Sequence, residues 1–189
     1  MASEQSIEEA TIPYLLFCFQ KSSLITANTL KVIYYSYFHS IITQWFNILG
    51  DSPDSIKIFK LQKKIIRIMM GCRSRDSCRK LFLSLEILPF PSQYSLPLLL
   101  FMIRNKNQFQ VNSKIQQINS RQHTNLHQPS VNATKYQKAV HCVGVKVFNM
   151  LPFNIKAESD NPRKFKVLLQ KYLCESSFYS LDEYFEVQS

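Results

Sequence analysis

Glycine is scarce in this chain, with three residues in 189, at positions 50, 71 and 144. Loops that cradle a phosphate through successive backbone N–H groups need clustered glycines, so a nucleotide-binding loop of that kind is excluded. With only eight prolines besides, the chain is not collagenous, elastic or of low complexity. No run of about 20 apolar residues occurs either. Ile12–Phe19 is too short to span a bilayer, and the uncharged stretch Val32–Leu49 is broken by Ser36, His39, Ser40, Thr43, Gln44 and Asn47. It reads as an amphipathic buried segment, and no stable membrane insertion is expected. The basic region that opens a secretory signal is missing, because Met1–Ala10 is acidic through Glu4, Glu8 and Glu9. Five scattered cysteines, an odd number, favour free thiols in a reducing compartment. The expectation is an intracellular protein, nuclear or cytoplasmic and not secreted. A chain of this length that is 46% apolar can build a real core, as one domain or a domain with an appendage.

Acidic residues are missing where the bases are densest. Residues 56–157 hold 17 bases and two acids, for a net charge of +15 against +10 for the whole chain, between mildly acidic ends. No acid lies between Glu86 and Glu158. Such a stretch favours polyanionic partners, the alternative being a solvated basic surface kept for solubility. The same absence excludes a nucleotidyl-transfer centre, which needs closely placed carboxylates to clamp two metal ions. Adjacent acids occur only at Glu8-Glu9 and Asp182-Glu183. No catalytic residue, metal site or cofactor is expected. Cys72, Cys78, His123 and His127 make a poor zinc set, because five residues separate the cysteines and the histidines follow far downstream, unlike a compact finger. His141-Cys142 is a poor hydrolase pair, since neighbours on a strand point to opposite faces.

What is present is a basic amphipathic helix at Ile56–Met70. At about 100° per residue, Ile58, Phe59, Leu61, Ile65, Ile66, Ile68 and Met69 fill one side, while Lys57, Lys60, Lys63, Lys64 and Arg67 gather on the other. Asp54 or Ser55 is the expected cap and Gly71 the expected stop. Arg73, Arg75, Arg79 and Lys80 extend the positive surface. Cations on one face of a helix anchored by its opposite face can track a phosphate backbone without reading bases. A basic amphipathic helix can also lie on an anionic membrane surface or take a calmodulin-like partner.

The remaining pattern is mostly helical. Asn28–Thr43 carries Leu30, Ile33, Tyr37 and Ile41 at helical spacing with Asn28 as cap, and Tyr34, Tyr35 and Tyr37 are either core or a stacking surface for bases. Arg79–Glu86 predicts a short helix ended by Pro89 and Pro91. Ser92–Lys106 predicts another, with Ser92 or Ser95 as cap and Pro97 in its first turn. Residues 107–137, rich in Asn and Gln, predict a long polar basic loop. Val143, Val145 and Val147 alternate as a short strand would, although the following residues also suit a helical turn. Asn161 caps and Pro162 opens a helix whose Phe165, Leu168, Leu169, Tyr172 and Leu173 share a face, and Ser180–Glu183 forms a capping box. The expected fold is mostly α, a small helical bundle with a long polar loop and at most one short strand or hairpin.

Several segments taken in order carry a family resemblance. They are Thr29–Ser40 (TLKVIYYSYFHS), Leu61–Ile68 (LQKKIIRI), Cys78–Phe82 with Leu88-Pro89, Ser120-Arg121-Gln122, Val147–Pro152 (VFNMLP) and Ser177–Phe185 (SFYSLDEYF). From about Cys18 to Val187 the chain resembles the C-terminal end of reverse transcriptases from non-LTR retrotransposons (LINEs), jockey-like elements in particular. The resemblance implies a thumb-like region at 18–106 around the basic helix 56–70, the polar loop 107–137 and a C-terminal helical region 138–189. It also implies that the catalytic aspartates belong to a palm upstream of these segments. The implied role is noncatalytic: gripping the backbone of RNA or an RNA–DNA template–primer through the bases named above, with the palm and endonuclease regions of the parent protein as further partners. Residues 1–17 do not resemble the family. At Gln44–Gly50 the family's length is kept but not its residues, as two compensating frameshifts in a decaying or co-opted copy would leave it. A degenerate copy acting only as a structural or interaction protein, and a membrane-surface helix protein, are the rival expectations.

Overall fold

The computed structural model describes residues 26–40, 42–43, 53–110, 125–127 and 140–186. These residues are mostly α-helical, with eight α-helices and no strand beyond a single bridge residue at Leu126 among them. Residues 1–17, the 44–50 segment and most of the polar loop, including His123 and Ser120-Arg121-Gln122, lie outside the described residues. The chain divides into two compact units, Met1–Phe90 and Pro91–Ser189, a division that falls inside the 18–106 stretch.

In the first unit, α1 (Ala27–Ile33) runs into a π-helical turn at Tyr34–His39. Thr26, not Asn28, is its cap: the Thr26 hydroxyl accepts the Thr29 N–H at 3.4 Å. The wider π turn points both Tyr34 and Phe38 inward, 5.4 Å apart, which settles Tyr34 as core, while Tyr35 and Tyr37 stay partly exposed. Helix α2 (Pro53–Met69) starts with a proline in its first turn, where the missing N–H costs nothing, so Asp54 and Ser55 lie inside the helix instead of capping it. It ends as the sequence requires. Gly71 takes φ +62°, its N–H bonds Ile68 O at 3.1 Å and Cys72 N–H bonds Arg67 O at 2.9 Å, a Schellman closure. Helix α3 (Arg79–Leu85) closes the same way on Glu86 at φ 52°, with Ile87 N–H on Phe82 O at 3.0 Å and the Ile87 side chain buried. Phe59 of α2 stacks on Phe82 of α3 at 6.3 Å, and Ile65, Ile66 and Met69 complete the buried stripe. Each such side chain contributes about 1.5–3 kcal/mol on leaving water.

In the second unit, α4 (Phe90–Arg104) corrects the expected caps. Ser92 and Ser95 are buried inside the helix, Pro91 occupies its first turn, and Pro97 sits in its interior, with Ser95 Oγ donating to Pro91 O at 2.9 Å. A short 3₁₀ turn follows at Lys106–Gln108. The valine alternation does not make a strand: 140–149 is helix α5 (Val140–Asn149). Over residues 142–149 it is buried on most of its circumference, so apolar residues fall at both odd and even positions, and there the exposed Lys146 and half-exposed Val143 and Asn149 betray the three-residue period. Gly144 admits the neighbouring helix closely, because a Cβ there would lie 2.7 Å from Met102 Sδ. Helix α6 (Phe153–Lys156) leads to α7 (Pro162–Ser176), capped by Asn161 Oδ1 on Lys164 N–H at 3.2 Å, and α8 (Leu181–Glu186). Half of the expected capping box forms, with Ser180 Oγ accepting Glu183 N–H at 3.0 Å, while Glu183 Oε2 reaches one residue beyond the cap and accepts Tyr179 N–H at 2.7 Å. Phe165, Leu169, Leu173, Phe178 and Tyr184 are core, and the Tyr184 hydroxyl donates to Val147 O at 2.8 Å.

Candidate nucleic-acid interface

All nine cations singled out from the sequence lie in the first unit. The buried stripe of α2 contains Phe59, Leu61, Gln62, Ile65, Ile66 and Met69. Lys57, Lys60 and Lys64 are exposed on the opposite side, and Lys63 and Arg67 lie half-buried along one border of it. The five bases thus share an arc of one helix, and Lys60 and Lys64 have no ion-pair partner among the described residues.

The two border bases are braced inside the unit. Lys63 Nζ stands 4.5 Å over the Phe59 ring, a cation–π contact. Arg67 Nε donates to Asp76 O at 2.8 Å, while Asp76 Oδ2 accepts the Arg73 N–H at 2.8 Å. One acid thereby folds the 72–78 turn against the end of α2 and leaves Arg73 and Arg75 exposed on it. Cys78 closes the turn: its buried thiol donates to Lys63 O at 3.5 Å. Burial pushes that thiol above its ordinary pKa, against the lowering effect of Arg67 and Lys63, so it is a protonated packing group. Arg79 and Lys80 follow, exposed in the first turn of α3.

The residue that positions this face was not singled out from the sequence. Gln62 is fully buried in the middle of α2. Its Nε2 donates to Tyr34 Oη at 2.8 Å and to Leu88 O at 2.9 Å, and its Oε1 accepts the Phe90 N–H at 2.7 Å. One amide therefore ties α2 to the π turn and to the 88–90 connection. The signal available in sequence was its wheel position, at the centre of the apolar side between two lysines. Glu86, itself exposed, is held at 3.1 Å by the half-buried Lys31, a surface pair of small energetic weight.

Among the described residues, no three His, Cys, Asp or Glu side chains gather as a metal site would require. Cys72, Cys78, Cys142 and Cys174 are free thiols. No helix among the described residues is long and apolar enough to cross a membrane. Comparison with family models, curated proteins and solved structures returns no match for this chain. Fold and site together define a mostly α-helical protein that carries an aligned cationic face on one helix and an adjoining turn.

Proposed function

We propose that this protein binds the phosphate backbone of RNA or an RNA–DNA duplex, without base readout, as a noncatalytic C-terminal part of a non-LTR retrotransposon reverse transcriptase. The observation that supports the reading is the alignment of Lys57, Lys60 and Lys64 on the outer side of α2, with Arg73, Arg75, Arg79 and Lys80 exposed beside it. Lys63 and Arg67 contribute as much to bracing the face as to its charge. Such a face gives affinity that falls steeply with salt, at about 0.9 log units per log unit of salt for each neutralised phosphate of a duplex. The palm and endonuclease regions of the parent protein are the proposed protein partners.

The test is the salt dependence of binding to an RNA–DNA hybrid. Replacing Lys57, Lys60 and Lys64 with Gln lowers the slope by about two to three units and weakens binding alike on unrelated sequences. An unchanged slope refutes the assignment. A second reading, a structural or interaction protein, is favoured by the outward apolar side chains Val32 and Ile56, both more than half exposed in the first unit. It predicts protein capture with no salt-dependent nucleic-acid binding.

A further inference from the structure

Where α5 ends, the side chain of Asn149 treats another stretch of chain as a strand would. Its Oδ1 accepts the Leu126 N–H at 2.8 Å and its Nδ2 donates to Leu126 O at 2.8 Å, so both main-chain groups of one residue are satisfied by one amide. The Leu126 side chain is 4% exposed. Lys156, from α6, reaches the same place: its Nζ donates to Asn149 O and, at 3.3 Å, to Asn125 Oδ1. On the far side of the leucine, the His127 N–H donates to Gln110 O at 2.7 Å. The arrangement reads three features of a tripeptide: the main chain of its central residue, which is in a bridge, that residue's apolar side chain and an amide side chain before it.

We propose that the C-terminal end of α5 is a docking slot for an extended, leucine-bearing segment, filled in this chain by its own Asn125-Leu126-His127, with Asn149 as the residue that reads the backbone. The chemistry is that of strand addition carried out by a side chain on a helical scaffold, where main-chain hydrogen bonds give affinity and a pocket for one side chain gives selectivity. The slot gives the Val147–Pro152 segment a task apart from the cationic face of the other unit, and it stands whether or not that face binds nucleic acid. Its consequence is that the polar stretch of the chain is held at Leu126, between the bases Arg121 and Lys135 of the sequence.

Two measurements on the full-length protein test it. The first is amide hydrogen exchange of Asn149→Ala and Asn149→Asp, the latter keeping the shape but losing the donor to Leu126 O. Exchange at Leu126 and His127 is expected to speed at least about tenfold in both variants. Amides of α7 are expected to stay within about threefold of the parent. Unchanged exchange at Leu126, or acceleration of the whole unit together, overturns the proposal. The second uses Leu126→Asp, which expels the resident segment and leaves Asn149 in place. A synthetic peptide of residues 121–130, titrated to millimolar concentration, is expected to shift the Asn149 side-chain amide resonances of that variant. It is expected to leave those of the parent chain, whose own segment competes at high effective concentration, at least about tenfold less responsive. Equal shifts in the two proteins, or equal shifts from a peptide carrying Asp in place of Leu126, overturn the slot.

Discussion

Replacing Gln62 with Leu asks how much of the first unit hangs on one buried amide. The two side chains are close in volume, so the cavity contribution is small and the loss is that of hydrogen bonds. Three hydrogen bonds are lost: those to the Tyr34 hydroxyl, Leu88 O and Phe90 N–H, all within 2.9 Å of the amide in the parent protein. A buried hydrogen bond lost without replacement costs about 1–3 kcal/mol, so a total loss of about 3–5 kcal/mol is expected for the three. That is a large share of the 5–15 kcal/mol typical of a folded domain. Unfolding in urea, followed by circular dichroism, reads the loss. With a slope of about 2 kcal/mol per molar, the midpoint falls by about 2 M. Tyr34→Phe removes one hydrogen bond from the same network and costs about 1 kcal/mol alone. The double variant is expected to lose at least about 1 kcal/mol less than the sum of the two, because both changes break the same contact. A loss below about 1 kcal/mol for Gln62→Leu, or full additivity with Tyr34→Phe, refutes the idea that this amide holds α2 in place.

The two described glycines give opposite explanations for a similar loss. Gly144→Ala drives a methyl to 2.7 Å from Met102 Sδ and 3.3 Å from Leu98 Cδ1, and should cost about 1–3 kcal/mol by crowding, recovered in part by Met102→Ala in thermal melts. Gly71→Ala meets nothing within 4 Å but keeps φ +62°, so it should cost about 1 kcal/mol that no neighbouring truncation recovers, while Gly71→Asn costs less. Tyr184 supplies a pH signature. Burial first, and the neighbouring Tyr172 second, raise its pKa above the ordinary value of 10.0, so the folded chain keeps a proton that the unfolded chain releases. Its contribution is complete below pH 10 and is lost as pH rises above it, at up to about 1.4 kcal/mol per pH unit. Burial lowers the pKa of Lys156 below 10.5, which has the opposite sign and raises stability as pH climbs towards 10.5. The difference between the parent and Tyr184→Phe cancels that part and isolates the tyrosine. A difference curve that stays flat from pH 9 to 11 refutes the assignment.

The clearest sequence signals were those with a local physical cause. Gly71 closes α2 because only a left-handed residue can satisfy the last carbonyls there, and Asn161-Pro162 opens α7 because both residues suit a first turn and little else. The failures have causes too. Thr26 and Asn28 are both good caps two residues apart, and only the packing of Leu30 and Tyr34 selects between them. Pro97 argued for a helix start, yet tertiary burial of Leu98, Leu99 and Met102 holds an interior proline in α4. The π turn at Tyr34–His39 has no propensity signature at all, since it arises from where Tyr34 and Phe38 must both point. Within the cationic face, the alignment of Lys57, Lys60 and Lys64 was legible in the helical period. The division into exposed lysines and braced Lys63 and Arg67 was not, because Phe59 and Asp76 act through contacts that folding creates.

Helix α2 is arranged against its own stability. Lys57, Lys60, Lys64 and Arg67 are neighbours three or four residues apart, where like charges cost about 0.2–0.5 kcal/mol per pair, and Lys60 and Lys64 have no ion-pair partner among the described residues. Arg79 and Lys80 stand in the first turn of α3, the end of a helix at which cations are disfavoured by up to about 1 kcal/mol each. A surface selected for solubility alone would intersperse acids, as the second unit does with Lys164 on Glu158 and Lys106 on Asp160. The first unit instead sets its one acid of the turn, Asp76, to folding the backbone, and spends a buried amide on holding the charged helix down. Repulsion on the outer side and an over-determined inner side belong together: the like charges can be kept in register only because Gln62 and the aromatic stack fix the helix that carries them. Moderate salt therefore screens the repulsion and stabilises the fold of this unit, and under the proposed function it acts in the opposite direction on the grip on a polyanion.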